Sequence, residues 1–125
     1  PQGGMACLVG ANGVGKSTLM RTLSGFQPAL RGEVRIDGRA IEEYAPRELS
    51  ERGGVVLTER TVTPDLTVEE VVEIGRMPYT NFWGRLTTAD RRVVEEAMAL
   101  VGIEQLRHKK IGRVSDGERQ KTMIA

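Results

Sequence analysis

After Pro1-Gln2-Gly3-Gly4 comes an unbroken apolar run, Met5-Ala6-Cys7-Leu8-Val9, the pattern of a buried strand. A glycine-rich stretch follows, and then Leu19, Met20 and Leu23 fall at helical spacing over a segment from Lys16 to about Gly25, with Gly25 as its C-terminal cap. From Gly32 to Gly38 apolar and charged residues alternate, which predicts a half-exposed antiparallel strand with Asp37-Gly38 as the turn. Pro46 suits the first turn of a short helix that faces Leu49 inward. After the break at Gly53-Gly54, Val55-Val56-Leu57 reads as a second buried strand ending at Thr58-Glu59.

Beyond Pro64 the period changes from two to that of a helix. Thr67-Val68-Glu69-Glu70 is a capping-box pattern ahead of Val71, Val72 and Ile74, and this helix is expected to end between Gly75 and Pro78. A loop of large side chains follows, with Tyr79, Asn81, Phe82 and Trp83 before Gly84. Thr87 and Asp90 form another cap, and Val94, Ala97, Met98 and Val101 make one apolar stripe, which is core by default. A last helix starts around Ser115-Asp116-Gly117-Glu118 and is still running at Ala125, with no stop signal. The expected architecture is therefore α/β: a mixed sheet with helices in residues 1–60, an inserted helical layer in 61–113, and a second motif with the start of its helix in 114–125.

Composition narrows the partners. The 125 residues are 39% hydrophobic, and 18 Lys and Arg nearly balance 17 Asp and Glu, so no net field argues for nucleic acid. The single cysteine, Cys7, falls in the expected buried strand and reads as a small core residue. No apolar run approaches the roughly 20 residues of a membrane span, so membrane contact is expected to go through a partner. Pro1 in place of Met, and the open helix at Ala125, read as the two ends of a fragment.

The chemistry lies in Gly10-Ala11-Asn12-Gly13-Val14-Gly15-Lys16-Ser17-Thr18, which fits the G-x-x-x-x-G-K-[ST] phosphate loop. Glycines allow successive backbone N–H groups to turn toward an anion, and the following helix aims its positive end at the same place. Asn12, Gly13, Gly15, Lys16, Ser17 and Thr18 are the candidate nucleotide-binding residues. Lys16 is expected on the β- and γ-phosphates of a nucleoside triphosphate and the Ser17 hydroxyl on Mg²⁺. A chance match in a glycine-rich turn would leave the strand, loop and helix order around it unexplained.

Read alone, Ser115-Asp116-Gly117-Glu118 is a capping box. With the phosphate loop nearly a hundred residues upstream, Val114-Ser115-Asp116-Gly117-Glu118-Arg119-Gln120 resembles the L-S-G-G-Q signature of ATP-binding cassette ATPases. The resemblance implies a P-loop NTPase core with an inserted helical subdomain. It also implies a head-to-tail homodimer in which Ser115, Gly117 and Glu118 of one chain meet the ATP held by the other. The middle of the chain, Asp65 to Tyr79 and then Phe82 to Leu86, resembles the ATPase subunits of importers for ferric siderophores, haem and cobalamin. Such a subunit would sit on the cytoplasmic face of the membrane, held there by integral permease subunits, and would couple ATP hydrolysis to uptake. Arg76 and the aromatics from Tyr79 to Trp83 then either face the permease or pin a long loop to the helical layer.

The sequence departs from the family pattern in two places. The resemblance puts a glutamine that touches Mg²⁺ and the attacking water at the end of the second strand. Glu59 is read at that place, with Thr58 as the other candidate, which makes Glu59 a candidate metal and catalytic residue beside Lys16. In the signature, Asp116 and Glu118 stand where Gly and Gln are usual; both carboxylates can be taken up by the N–H groups of the helix start. The apolar run ending in Asp-Glu and the later switch histidine, both expected after the signature, do not fall within these residues. His108, flanked by Arg107, Lys109 and Lys110, precedes the signature and reads as part of a solvated basic patch. The chain is thus expected to grip phosphates without turning ATP over. The other readings are a non-transport cassette ATPase and another class of phosphate-loop enzyme, although no Asn-Lys-x-Asp guanine-reading motif occurs.

Overall fold

In the computed structural model residues 3–56, 64–80 and 84–125 are described, and they divide into two units, Pro1–Leu49 and Ser50–Ala125. In the first unit the glycine-rich loop leads into helix α1 (Lys16–Leu23). Its end follows from Gly25, whose φ of 74° needs a residue without Cβ. The Phe26 N–H reaches back to the Arg21 carbonyl (2.9 Å) and the Gly25 N–H to that of Thr22 (3.1 Å), a Schellman closure that satisfies the last carbonyls. A Cβ on Gly25 would also stand 3.1 Å from the Cδ1 of Ile41, a buried apolar residue of this unit.

The alternating segment forms a hairpin of β1 (Arg35–Ile36) and β2 (Arg39–Ala40), with Ile36 opposite Arg39. Asp37 and Gly38 have φ values of 51° and 81°, the left-handed pair that a two-residue turn matched to strand twist demands. The Tyr44 hydroxyl donates to the Ile36 carbonyl (2.7 Å), and the Arg39 guanidinium lies 4.4 Å from the centre of the Tyr44 ring. Helix α2 (Pro46–Ser50) carries Pro46 at its first position, as expected, and Leu49 is partly buried.

The first expected strand is overturned. Met5 to Val9 are exposed and join no ladder, with Met5 fully exposed and Val9 84% exposed. Cys7 is accordingly an exposed free thiol rather than a core residue. Val55 and Val56 are likewise exposed and outside any strand, while Leu57, Thr58 and Glu59 lie outside the described residues. The physical reason is pairing: a strand exists only where a neighbour takes its N–H and C=O groups, and the described residues contain only the β1–β2 ladder and an isolated bridge between Thr67 and Lys110.

The second unit is helical and has a core of its own. Helix α3 (Val68–Ile74), helix α4 (Thr88–Val101) and helix α5 (Asp116–Ile124) pack on one another around Val68, Val71, Val72, Val94, Met98 and Ile103. Met98 and Val68 are fully buried. The expected stripe is realised, with Ala97 and Val101 packed at the edge of this cluster. Gly102, at φ 67°, closes α4, and the Ile103 N–H bonds back to the Met98 carbonyl (3.1 Å). Helix α3 stops at Ile74, and Met77–Tyr79 forms a single turn.

A backbone strap joins distant parts of this unit. The N–H groups of Val68 and Glu69 donate to the carbonyls of Lys109 and Arg107, while those of Ile111 and Gly112 donate to Leu66 and Pro64. Lys110 adds an ion pair to Asp65 at 2.7 Å. Gly112 is required where the strap is tightest, because a Cβ there would lie 2.9 Å from the Pro64 carbonyl.

Candidate nucleotide-binding site

The phosphate loop is shaped by two glycines in the left-handed region, Gly13 at φ 81° and Gly15 at φ 96°. Gly15 is the N-cap of α1 and gives its first turn no side-chain acceptor. The first intrahelical bond is donated by Leu19 N–H to the Gly15 carbonyl (2.9 Å), which leaves the N–H groups of Lys16, Ser17 and Thr18 outside the helical ladder. No acidic residue stands in this first turn.

Helices α3, α4 and α5 are finished differently. Each begins with a complete capping box, Thr67 with Glu70, Thr87 with Asp90 and Ser115 with Glu118, so each already has a carboxylate at its positive end. Helix α1 therefore keeps its positive end open to an anion from outside.

Lys16 lies folded over the loop. Its ammonium group donates to the carbonyls of Gly10 and Ala11, both at 2.7 Å, and is thereby held at the mouth of the loop. A phosphate oxygen would give it a charged acceptor in place of neutral carbonyls, a stronger bond. Ser17 is exposed at the second position of α1. A single neutral hydroxyl suits Mg²⁺, which keeps several waters and takes most of its remaining ligands from phosphates. Gln27 and Thr22 brace the helix from behind: Gln27 Nε2 donates to the Thr18 carbonyl (3.2 Å) and to Thr22 Oγ1 (2.9 Å).

The second motif is built around one carboxylate oxygen. Ser115 N–H and Ser115 Oγ–H both donate to Glu118 Oε2, at 2.7 and 2.9 Å, while Glu118 N–H donates to Ser115 Oγ at 3.3 Å. These bonds, first of all the one from the Ser115 N–H, hold the Glu118 carboxyl below its usual pKa. Arg119 lies 3.3 Å from Asp116, so the other unusual acid of the motif is paired. Gly117 has open space where a Cβ would stand.

Two features escaped the sequence reading. Arg76 donates through Nε and Nη2 to Asp90 Oδ1, at 3.1 and 2.8 Å, and lies 4.2 Å from the Tyr79 ring centre. Arg76 thus serves as an internal clamp on the start of α4. Hydrogen bonds from Thr87 and then from Arg76 lower the Asp90 pKa to about 2. Nothing in the spacing of residues 76 and 90 announces this pair, since they belong to different elements. The second feature concerns the basic run: Arg107 pairs with Glu69 (3.2 Å) and Lys110 with Asp65, so the patch is tied to acids, although the His108 side chain is 85% exposed. Asn81, Phe82 and Trp83 lie outside the described residues, as does Glu59. Among the described residues no helix is long and apolar enough to cross a membrane.

The ABC transporter family model matches residues 1–125. The chain is 38% identical to the ferric enterobactin transport ATP-binding protein of Escherichia coli over 100% of its own length and 46% of the relative's. It is 37% identical to the hemin import ATP-binding protein of Rhodopseudomonas palustris, over 98% of the chain and 43% of that protein. It is 42% identical over 99% of its length to an uncharacterized ABC transporter ATP-binding protein of Methanocaldococcus jannaschii, of which it covers 43%. The chain thus spans less than half the length of these relatives. With a phosphate loop, an open α1 and a family match from end to end, the chain belongs to the ABC transporter family and shares its P-loop NTPase fold class.

Proposed function

We propose that the protein is the ATP-binding subunit of an importer, hydrolysing ATP to drive uptake of an iron chelate, haem or a cobalamin-like molecule. The observation that carries the ATP-binding part is the open positive end of α1 beneath the folded-back Lys16 ammonium. In this reading Asn12, Gly13, Gly15, Lys16, Ser17 and Thr18 cradle the phosphates, Ser17 and Glu59 hold Mg²⁺, and Lys16 and Glu59 act on the reacting phosphate. Ser115, Gly117 and Glu118 meet the nucleotide of a second copy in a head-to-tail dimer. The cargo class is supported by the relatives named for enterobactin, hemin and cobalamin. The subunit works on the cytoplasmic face of the membrane against its permease, with residues 1–60 as the nucleotide-binding core and 61–113 as the inserted helical layer.

ATP binding then joins two chains, and loss of the γ-phosphate removes what joined them. The test is Lys16→Ala in the full-length protein. A fluorescent nucleotide titration should show binding abolished, and near-normal affinity would overturn the phosphate role. Co-purification of the wild-type protein with a polytopic membrane protein tests the importer reading separately, and a protein recovered only in soluble complexes would argue against it.

A further inference from the structure

The box at the start of α5 poses a problem of donors for the site proposed there. Ser115 has one hydroxyl proton, and it is given to Glu118 Oε2 at 2.9 Å. Its oxygen also accepts from the Glu118 N–H, so the hydroxyl is used in both directions within its own turn. A phosphate from a second chain can take that proton only if Glu118 gives it up. The other two bonds of the box, Ser115 N–H to Glu118 Oε2 and Glu118 N–H to Ser115 Oγ, need not change. Helix α5 can therefore stay capped while the one proton turns.

We infer that Glu118 is an internal competitor for the Ser115 hydroxyl, an autoinhibitory contact that the terminal phosphate of a nucleoside triphosphate must displace when two chains close. This rests on the reading of Ser115 as a contact to the partner chain's nucleotide, and it gives Glu118 the role of the acceptor that nucleotide displaces in place of a further favourable contact. The competitor is selective. The Ser115 hydroxyl proton is committed to Glu118, whereas the Asp116 carboxylate lies 3.3 Å from Arg119. A carboxylate is a stronger acceptor than an amide, so the contact raises the nucleotide concentration at which dimers form.

Glu118→Gln tests this in the full-length protein, because an amide oxygen can still accept from both the Ser115 N–H and the hydroxyl, as the box requires, but holds each less tightly than a carboxylate does. With magnesium and the non-hydrolysable analogue AMP-PNP, the concentration for half-maximal dimerisation in light scattering should fall about fivefold. The gain should persist at raised ionic strength, where a purely through-space charge effect is screened. It should also vanish in a Ser115→Ala background. An unchanged or raised midpoint, a gain lost in salt, or an equal gain without the serine would each overturn the competition while leaving the dimer reading in place. If Ser115→Ala alone leaves wild-type dimerisation untouched, the contact between Ser115 and the nucleotide fails, and the competition fails with it.

Discussion

At the scale of single residues, the unit Ser50–Ala125 is held by charged groups whose partners fix their protonation. Asp90 is the clearest case, with two bonds from Thr87 and two from Arg76 on one carboxyl. Its pKa falls from 3.8 to about 2 on folding, so the ionised form is favoured in the folded state. The associated stability is fully present above about pH 4 and is lost as pH falls toward 2. In Asp90→Asn the acid limb of a circular-dichroism titration should therefore be shallower between those values, with lower stability at neutral pH. Arg76→Ala should move the same limb in the same direction, since it removes two of the four bonds. Equal acid profiles for wild type and both variants would refute the linkage. Of these residues, Thr87 and Asp90 were legible because capping is local in sequence; Arg76 was not, because its contact to Asp90 depends on how the Met77–Tyr79 turn directs the chain.

At the scale of elements, those specified within a few neighbouring residues were legible and the expected buried strand at Met5–Val9 was not. Each capping box lies within four consecutive residues, and α3, α4 and α5 begin where Thr67, Thr87 and Ser115 say they should. The hairpin of β1 and β2 was equally local, fixed by Asp37-Gly38. Met5–Val9 carries the composition of a strand, yet composition supplies no partner, and among the described residues none pairs with it. The core of the second unit makes a quantitative test possible. Met98 is fully buried against α3 and α5, so Met98→Ala should cost about 2–5 kcal/mol in a urea titration of the helical signal. Leu100, two positions on and 88% exposed, should tolerate alanine within about 0.5 kcal/mol. Comparable losses at both positions would show that the stripe on α4 is misassigned.

At the scale of the whole molecule, the phosphate loop and the signature lie in different units, Pro1–Leu49 and Ser50–Ala125. The proposed dimer gives each a separate phenotype. Ser115→Arg in the full-length protein should leave nucleotide binding by the monomer intact and block the nucleotide-dependent dimer, measured by light scattering. Lys16→Ala should abolish both. A variant pair with the reverse pattern would contradict the head-to-tail arrangement. Glu59→Gln should keep or raise hydrolysis if Glu59 stands at the metal, and loss of nucleotide binding in that variant would argue for a structural role instead.

The strap between Pro64 and Gly112 has a consequence in time. Its ion pair joins residues 45 positions apart, so the intervening chain must be looped before the contact forms, and the entropy of that closure falls on the folding transition. Chain emerging from a ribosome can cap α3 and wind α4 early, yet it lacks the backbone partners of Pro64 and Leu66 until residues 111 and 112 appear. The core that α3 and α4 begin is therefore completed only when the segment just ahead of the signature brings in Ile111 and Val114. Maturation of the helical unit is thereby scheduled by translation, with a late step that protease protection of stalled nascent chains would reveal.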